Sequence, residues 1–76
     1  MGYELNGATV VKETEKAILV DVEIDTQFGR KGREIWFPKS QTEVVDGVVR
    51  CTSWILNAKA RDIQTPGFVG FICSVI

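Results

Sequence analysis

Three basic residues lie between two aromatic side chains in the first half of the sequence. The basic residues are Arg30, Lys31 and Arg33, and the flanking aromatic residues are Phe28 and Trp36. Clustered positive charges contact phosphate groups, and exposed aromatic rings stack on the bases of a single strand. The pattern therefore predicts a single-stranded nucleic-acid site at a hairpin tip, with Lys39 as a further cation. The alternative is a solvated hairpin whose aromatic side chains pack into the sheet, and the low pI of about 5.3 favours it.

A second group of chemically suggestive residues follows directly, in the segment Trp36-Phe37-Pro38-Lys39. Neighbouring residues of a strand point to opposite faces, so Trp36 is directed away from the core if Phe37 belongs to it. An exposed Trp beside Pro38 and Lys39 is a typical anchor for a protein partner. The alternative is that a helix covers Trp36. We predict that Trp36, Pro38 and Lys39 bind a partner, together with Phe71 in the apolar C-terminal segment.

Several kinds of chemistry are excluded by composition. The chain has no His, which removes the commonest general base and the commonest metal ligand. Its two cysteines, Cys51 and Cys73, are too few for a zinc site, and their apolar neighbours predict buried thiols. Asp21, Glu23 and Asp25 alternate along one strand, a spacing typical of a solvated sheet face. We therefore expect a protein without catalytic residues, metal or other cofactor.

The elements that would position these residues are mostly short strands. Residues 8–13 are rich in β-branched side chains, and residues 17–25 alternate between apolar and polar side chains. A loop over residues 27–32 would return the chain into a strand at residues 33–37. Asp46-Gly47 between two Val-Val pairs indicates a tight type I′ hairpin.

The second half of the chain leaves one choice open. Residues 54–61 fit a short helix capped by Thr52 or Ser53, with a continued strand as the alternative. Residues 68–76 form a last strand whose apolar side chains would pair with a second copy of the chain. The whole chain, residues 1–76, is then one small domain. We predict a mainly β (α+β) fold, an antiparallel curled sheet or half-open barrel of four to five strands with one short helix.

Charge is nearly balanced overall but unevenly distributed. The net charge of the 76 residues is −1. Residues 1–25 carry two Lys against six acids, whereas residues 26–61 carry seven Lys and Arg against three acids. The longest apolar stretch is too short to span a bilayer, which takes about 20 residues. We expect a cytoplasmic protein with no membrane contact.

Two segments resemble a pattern found in small proteins of bacteriophages and prophages. They are Lys12-Glu13-Thr14-Glu15-Lys16-Ala17-Ile18-Leu19-Val20, which fits K-x-T-x-K-A-x-L-V, and Trp36-Phe37-Pro38-Lys39-Ser40-Gln41, which fits W-[FIL]-P-K-S-Q. The similarity covers roughly residues 10 to 60 and implies a phage or bacterial cytosolic origin. It implies no activity and no catalytic residues.

Together these observations predict a non-catalytic protein-interaction module, a phage-encoded adaptor or inhibitor of a host protein that acts as a homo-oligomer. The alternative function is single-stranded nucleic-acid binding through the basic, aromatic-flanked hairpin. The two differ in which residues matter, since the first depends on the Trp36 segment and Phe71 and the second on the basic residues.

Overall fold

The computed structural model describes residues 2–76, which form eight strands and one α-helix. The elements are β1 (Gly2–Leu5), β2 (Thr9–Glu13), β3 (Ala17–Thr26), β4 (Gly29–Pro38), β5 (Thr42–Val45), β6 (Val48–Thr52), α1 (Ser53–Asp62), β7 (Phe68–Phe71) and β8 (Cys73–Val75). A 3-10 turn at Lys39–Gln41 joins β4 to β5. The mainly β class with one short helix is confirmed. The strands number eight, more than predicted, because β1 is an additional strand and the C-terminal run is divided at Ile72.

The strands form two antiparallel sheets that do not close into a barrel. Sheet A has the order β5-β6-β1-β8. In sheet B, β3 is central, with β4 along its whole length on one side and β2 and β7 sharing the other side. Strand β4 therefore forms one edge of sheet B, and within residues 2–76 it pairs with β3 alone.

The longest hairpin, β3–β4, is explained by the alternation in its sequence. Ile18, Val20, Val22 and Ile24 are all buried, as predicted, and Phe37 of β4 is fully buried beside them. The intervening residues of both strands point to the other face of sheet B, which we call the outer face. This alternation fixes the pairing register, since a shift of one residue would expose the whole apolar set.

The last strand was predicted as one continuous run, and it is divided at Ile72. The Ile72 N–H donates to the Glu23 carbonyl at 3.1 Å, and its own carbonyl accepts from Asn6 N–H at 3.0 Å. Residues on either side of this bend pair with different sheets, β7 with β3 and β8 with β1. The C-terminal segment thus connects the two sheets. Strand β1, which the sequence analysis did not predict, lies between β6 and β8.

The helix predicted at residues 54–61 is present as α1. Its N-cap is Thr52, whose hydroxyl accepts the Ile55 N–H at 3.2 Å and donates to Gln41 Oε1 at 2.8 Å. Ile55 and Leu56 of the helix are buried in the common core. The hairpin at Asp46-Gly47 is also present, with φ of 52° and 79° at the two turn residues, as a type I′ turn requires. Within residues 2–76, the structure holds no helix of the length and apolarity needed to cross a membrane.

Candidate functional site

An apolar cluster lies at one end of the outer face of sheet B. Trp36 is paired with Leu19, and Pro38 is paired with Ala17, so the four side chains share that face. We call these four residues the Trp36 patch. Trp36 remains 41% exposed, and the helix does not cover it, since α1 packs on the core beside β6 and β1. The Trp36 ring is therefore exposed on the outer face and is not covered by the helix.

Charged side chains border the Trp36 patch. On β2, Lys12 is paired with Leu19 and so lies on the outer face as well. Lys39, predicted as a binding residue, forms an ion pair with the Glu13 carboxylate on β2 and is exposed. Lys12 thus lies on the outer face at its apolar end, and Lys39 directly follows Pro38 at the same end of sheet B, within reach of a partner that bears acidic groups. An exposed pair of this kind adds little to stability, so Lys39 can leave Glu13 for a partner at small cost.

The rest of the outer face is mainly acidic. Asp21 is paired with Glu34, and Glu23 and Asp25 follow along β3 towards the hairpin turn. Arg30 lies among them, paired with Asp25 and 4.0 Å from the Glu23 carboxylate. The acids point to solvent as the alternation predicted, apart from a half-buried Asp25. Within residues 2–76 they do not form a cluster of three or more metal-ligating side chains.

The basic residues do not lie in a loop, and this prediction was wrong. The turn consists of Gln27 and Phe28 alone, and Arg30, Lys31 and Arg33 are all in strand β4. A two-residue connection is sufficient because Thr26 closes the turn, with its hydroxyl donating to Gly29 O at 2.6 Å and accepting from Phe28 N–H at 3.0 Å. The sequence signal missed here was Thr26, and Gly29 (φ 111°) supplies the positive φ that ends the turn.

As strand residues, the three cations are divided between two faces. Arg30 is on the outer face, whereas Lys31 and Arg33 are paired with the buried Ile24 and Val22 and so lie on the core side. The Arg33 guanidinium is held there, with Nε donating to Thr65 Oγ1 at 3.1 Å and Nη1 to Gly32 O at 2.9 Å. The three side chains therefore do not form one cationic surface. Phe28 is 73% exposed, and its ring lies over Gly67, where an added Cβ would come within 2.9 Å of it.

Phe71 lies apart from the Trp36 patch. It is paired with Ile24 and is half-buried against the core, and its ring meets that of Phe68 edge to face at 5.6 Å between centroids. Such a contact stabilises the fold by about 0.5–1.5 kcal/mol beyond the area it buries. The structure thus brings Trp36, Pro38 and Lys39 to one end of sheet B and leaves Phe71 as a packing residue. The exposed apolar side chains of the C-terminal segment are Val69, Val75 and Ile76.

Both cysteines are free thiols. Cys51 is buried in sheet A, and burial raises its pKa to about 11, with a smaller contribution from the nearby Cys73. Burial also raises the pKa of Cys73, which is half-buried. Strand β1 lies between them, with Tyr3 paired to Cys51 and Leu5 to Cys73, so the two sulfur atoms cannot form a disulfide without rearrangement of the sheet. Raised pKa values make both thiols poor nucleophiles near neutral pH.

A cleft lies next to the 3-10 turn. It has a volume of about 330 Å³, and Gln41, Arg50 and Ile76 contribute to its walls. Arg50 is paired with Glu4 on one side and with Glu43 on the other. Among the described residues, its buried Nε and the buried Thr42 Oγ1 have no hydrogen-bond partner. Ser40 lies here in the turn.

Comparisons with protein-family models, with curated proteins and with solved structures found no match to this chain.

Proposed function

We propose that this chain is a non-catalytic protein-interaction module that binds its partner through the Trp36 patch. The observation that carries the proposal is the exposure of Trp36 on a regular strand, directly beside Phe37, which is fully buried on the opposite face. Trp is enriched among the residues that contribute most to protein interfaces, because its large rigid ring buries much surface when a partner covers it. Leu19 and Pro38 beside it supply further apolar surface.

The charges around the patch indicate the chemistry of the partner. Lys12 lies at the apolar end of the outer face, Lys39 follows Pro38 at the same end of sheet B, and the acids of β3 and β4 occupy the remainder of the face. A partner with an apolar centre, acidic groups on one side and basic groups on the other would match this arrangement. Rim charges of this kind fix orientation and speed association more than they strengthen binding. The resemblance to phage proteins supports a bacterial host protein as that partner, with this chain as its adaptor or inhibitor.

The proposal is tested by capturing partners from a bacterial lysate with the immobilised chain and two variants. Trp54, the other tryptophan, is 65% exposed at the start of α1 and gives a matched control. We expect the native chain and Trp54→Ala to retain the same protein and Trp36→Ala to lose it. Retention by Trp36→Ala, or capture of no protein above a bead control, would refute the proposal.

A spectroscopic measurement then reports on the patch directly. In a Trp54→Phe variant, Trp36 is the single tryptophan of the chain. Titration with the captured partner should shift its emission to shorter wavelength, because the ring moves out of water. A Trp36→Phe variant, in which Trp54 is the reporter, should show no shift.

A further inference from the structure

The outer edge of β4 carries main-chain groups that have no partner in sheet B. Antiparallel neighbours alternate between pairs that exchange hydrogen bonds and pairs that do not. The Lys39 N–H donates to Lys16 O, which identifies the odd-numbered residues of β4 as those bonded to β3. The N–H groups of Arg30, Gly32, Glu34 and Trp36 consequently point away from the sheet. Within residues 2–76, none of these four N–H groups donates to a loop or a side chain.

The two halves of this edge differ in how they are protected. In the first half, Lys31 and Arg33 lie on the core side at the edge, a device that discourages strand pairing. Arg33 also covers the edge directly, since its Nη1 donates to the outward carbonyl of Gly32 at 2.9 Å. In the second half, which contains Glu34, Ile35 and Trp36, no side chain of the described residues donates a hydrogen bond to the outward main-chain carbonyls. The edge is therefore open only from about residue 34 to Pro38.

We propose that two copies of the chain pair antiparallel along this open half of β4, with a two-fold axis at Ile35. In this register Glu34 of one copy exchanges both main-chain hydrogen bonds with Trp36 of the second copy, and the same holds in reverse. The Ile35 side chains of the two copies form a close non-hydrogen-bonded pair on the core side. The dimer has a continuous sheet in which the two β4 strands are central.

The ends of the paired segment support this register over its neighbours. Pro38 has no N–H, so it cannot donate to the Gly32 carbonyl that lies opposite it in the second copy. That carbonyl already accepts from the Arg33 guanidinium, and the Gly32 N–H remains free to donate to Pro38 O. No buried polar group is left without a partner at this position.

Registers with the two-fold axis nearer the β3–β4 turn bring like charges together. A two-fold axis at Gly32 would place Lys31 directly opposite Arg33 and would break the bond to the Gly32 carbonyl. An axis at Glu34 would place the two Glu34 carboxylates directly opposite each other, which is destabilising. With the axis at Ile35, those carboxylates are diagonal neighbours about 7–8 Å apart on an exposed face, where salt screens them.

The proposal goes beyond the proposed function, because it concerns strand pairing and not the identity of a host partner. It also has a consequence for that function, since the dimer places two Trp36 patches on one continuous outer face. The two proposals fail separately: loss of the dimer leaves each patch intact, and loss of the host partner leaves the dimer intact.

The first test is the mass of the native chain by light scattering, with Glu34→Pro as the variant. Proline at residue 34 removes an outward N–H and leaves the bonds between β4 and β3 in place. We expect the native chain at twice its monomer mass of 8.5 kDa. In Glu34→Pro the dimer should dissociate at roughly tenfold or more higher concentration, because each copy loses a main-chain donor. Circular dichroism and the melting temperature check that the variant is folded.

The second test fixes the register by disulfide cross-linking in a Cys73→Ser background. Under mild oxidation, Ile35→Cys should form a covalent dimer on a non-reducing gel, because the two residues 35 face each other. Val69→Cys, exposed on β7, is the control for random collision, and Arg33→Cys should link only if the axis lies at residue 33. A monomeric native chain at all concentrations, or cross-linking of Ile35→Cys no faster than Val69→Cys, would overturn the proposal.

Discussion

Successive residues of the β3–β4 hairpin point to opposite faces of sheet B, and these two faces differ sharply in burial. On the core face, Val20, Ile24 and Phe37 have no accessible surface. On the outer face, Trp36 is adjacent to Phe37 in sequence and is 41% exposed. A chain of 76 residues buries a limited share of its surface, and here a single face of sheet B receives most of that burial.

The contrast shows which large side chains are needed for folding. Phe37 is enclosed by residues of both sheets and the helix, so its contribution to stability is large. Trp36 contacts Leu19 on an open face and leaves much of its ring in water. Folding does not require Trp36 to be exposed, and this is the basis of the proposed binding site.

The largest expected effect comes from truncating these two neighbours in turn. Phe37→Ala should lower the free energy of unfolding by about 3–5 kcal/mol, because it leaves a cavity in the centre of the core. Trp36→Ala should lower it by no more than about 1 kcal/mol, as is usual for an exposed site. Urea denaturation followed by circular dichroism measures both. Equal losses for the two variants would show that the outer face carries a second core and would remove the basis of the proposed binding site.

The second-largest expected effect is a loss of stability at high pH. It is due to Cys51, whose ionisable thiol lies inside the core. Burial keeps its thiol protonated in the folded chain up to a pKa of about 11, whereas the unfolded chain ionises near the ordinary value of 9.0. A raised pKa in the folded state means that stability is retained below pH 9 and is lost as pH rises from 9 to 11. The loss should be on the order of 2 kcal/mol.

The measurement is the free energy of unfolding at pH 8 and at pH 10.5, for the native chain and for Cys51→Ala. The two proteins differ only at residue 51, so the Cys51 contribution is the difference between their pH dependences. We expect the native chain to lose more stability than the variant over this range. Parallel losses would mean that water reaches the Cys51 thiol in the folded state.

The sequence was sufficient to predict the elements whose signal is local. Alternation predicts that Ile18, Val20, Val22 and Ile24 share a core face, Asp46-Gly47 indicates its turn, and Thr52 is one of the two residues predicted as the helix cap. These features depend on backbone periodicity and on short-range hydrogen bonds, which a single sequence carries. The same alternation directs Trp36 away from the core, because Phe37 takes the core side, but it leaves open whether the helix covers the ring.

The features that sequence alone missed depend on contacts between distant segments. Strand β1 is short and weakly patterned, and it is defined by pairing with β6 and β8. The division of the C-terminal strand at Ile72 is fixed by bonds to Glu23 and Asn6, which lie far away in sequence. Periodicity likewise does not predict that Phe71 meets Phe68 and the core, because it cannot distinguish an apolar side chain that faces a partner from one that packs within the chain.

The smallest expected effect is on nucleic-acid binding, and it tests whether the two faces of β4 act separately. Arg30 lies among acids on the outer face, while Lys31 and Arg33 lie on the core side with Arg33 bonded to Thr65. A single strand cannot follow both faces at once, so few phosphates would be neutralised. We expect fluorescence anisotropy of a labelled single-stranded oligonucleotide to show a dissociation constant no tighter than about 10⁻⁴ M at moderate salt. The contrary outcome is tight binding that weakens steeply with salt and is lost when the three residues are replaced by Ala. It would show that side chains on both faces of β4 reach the phosphates of the oligonucleotide, and it would favour the nucleic-acid function over the protein-binding one.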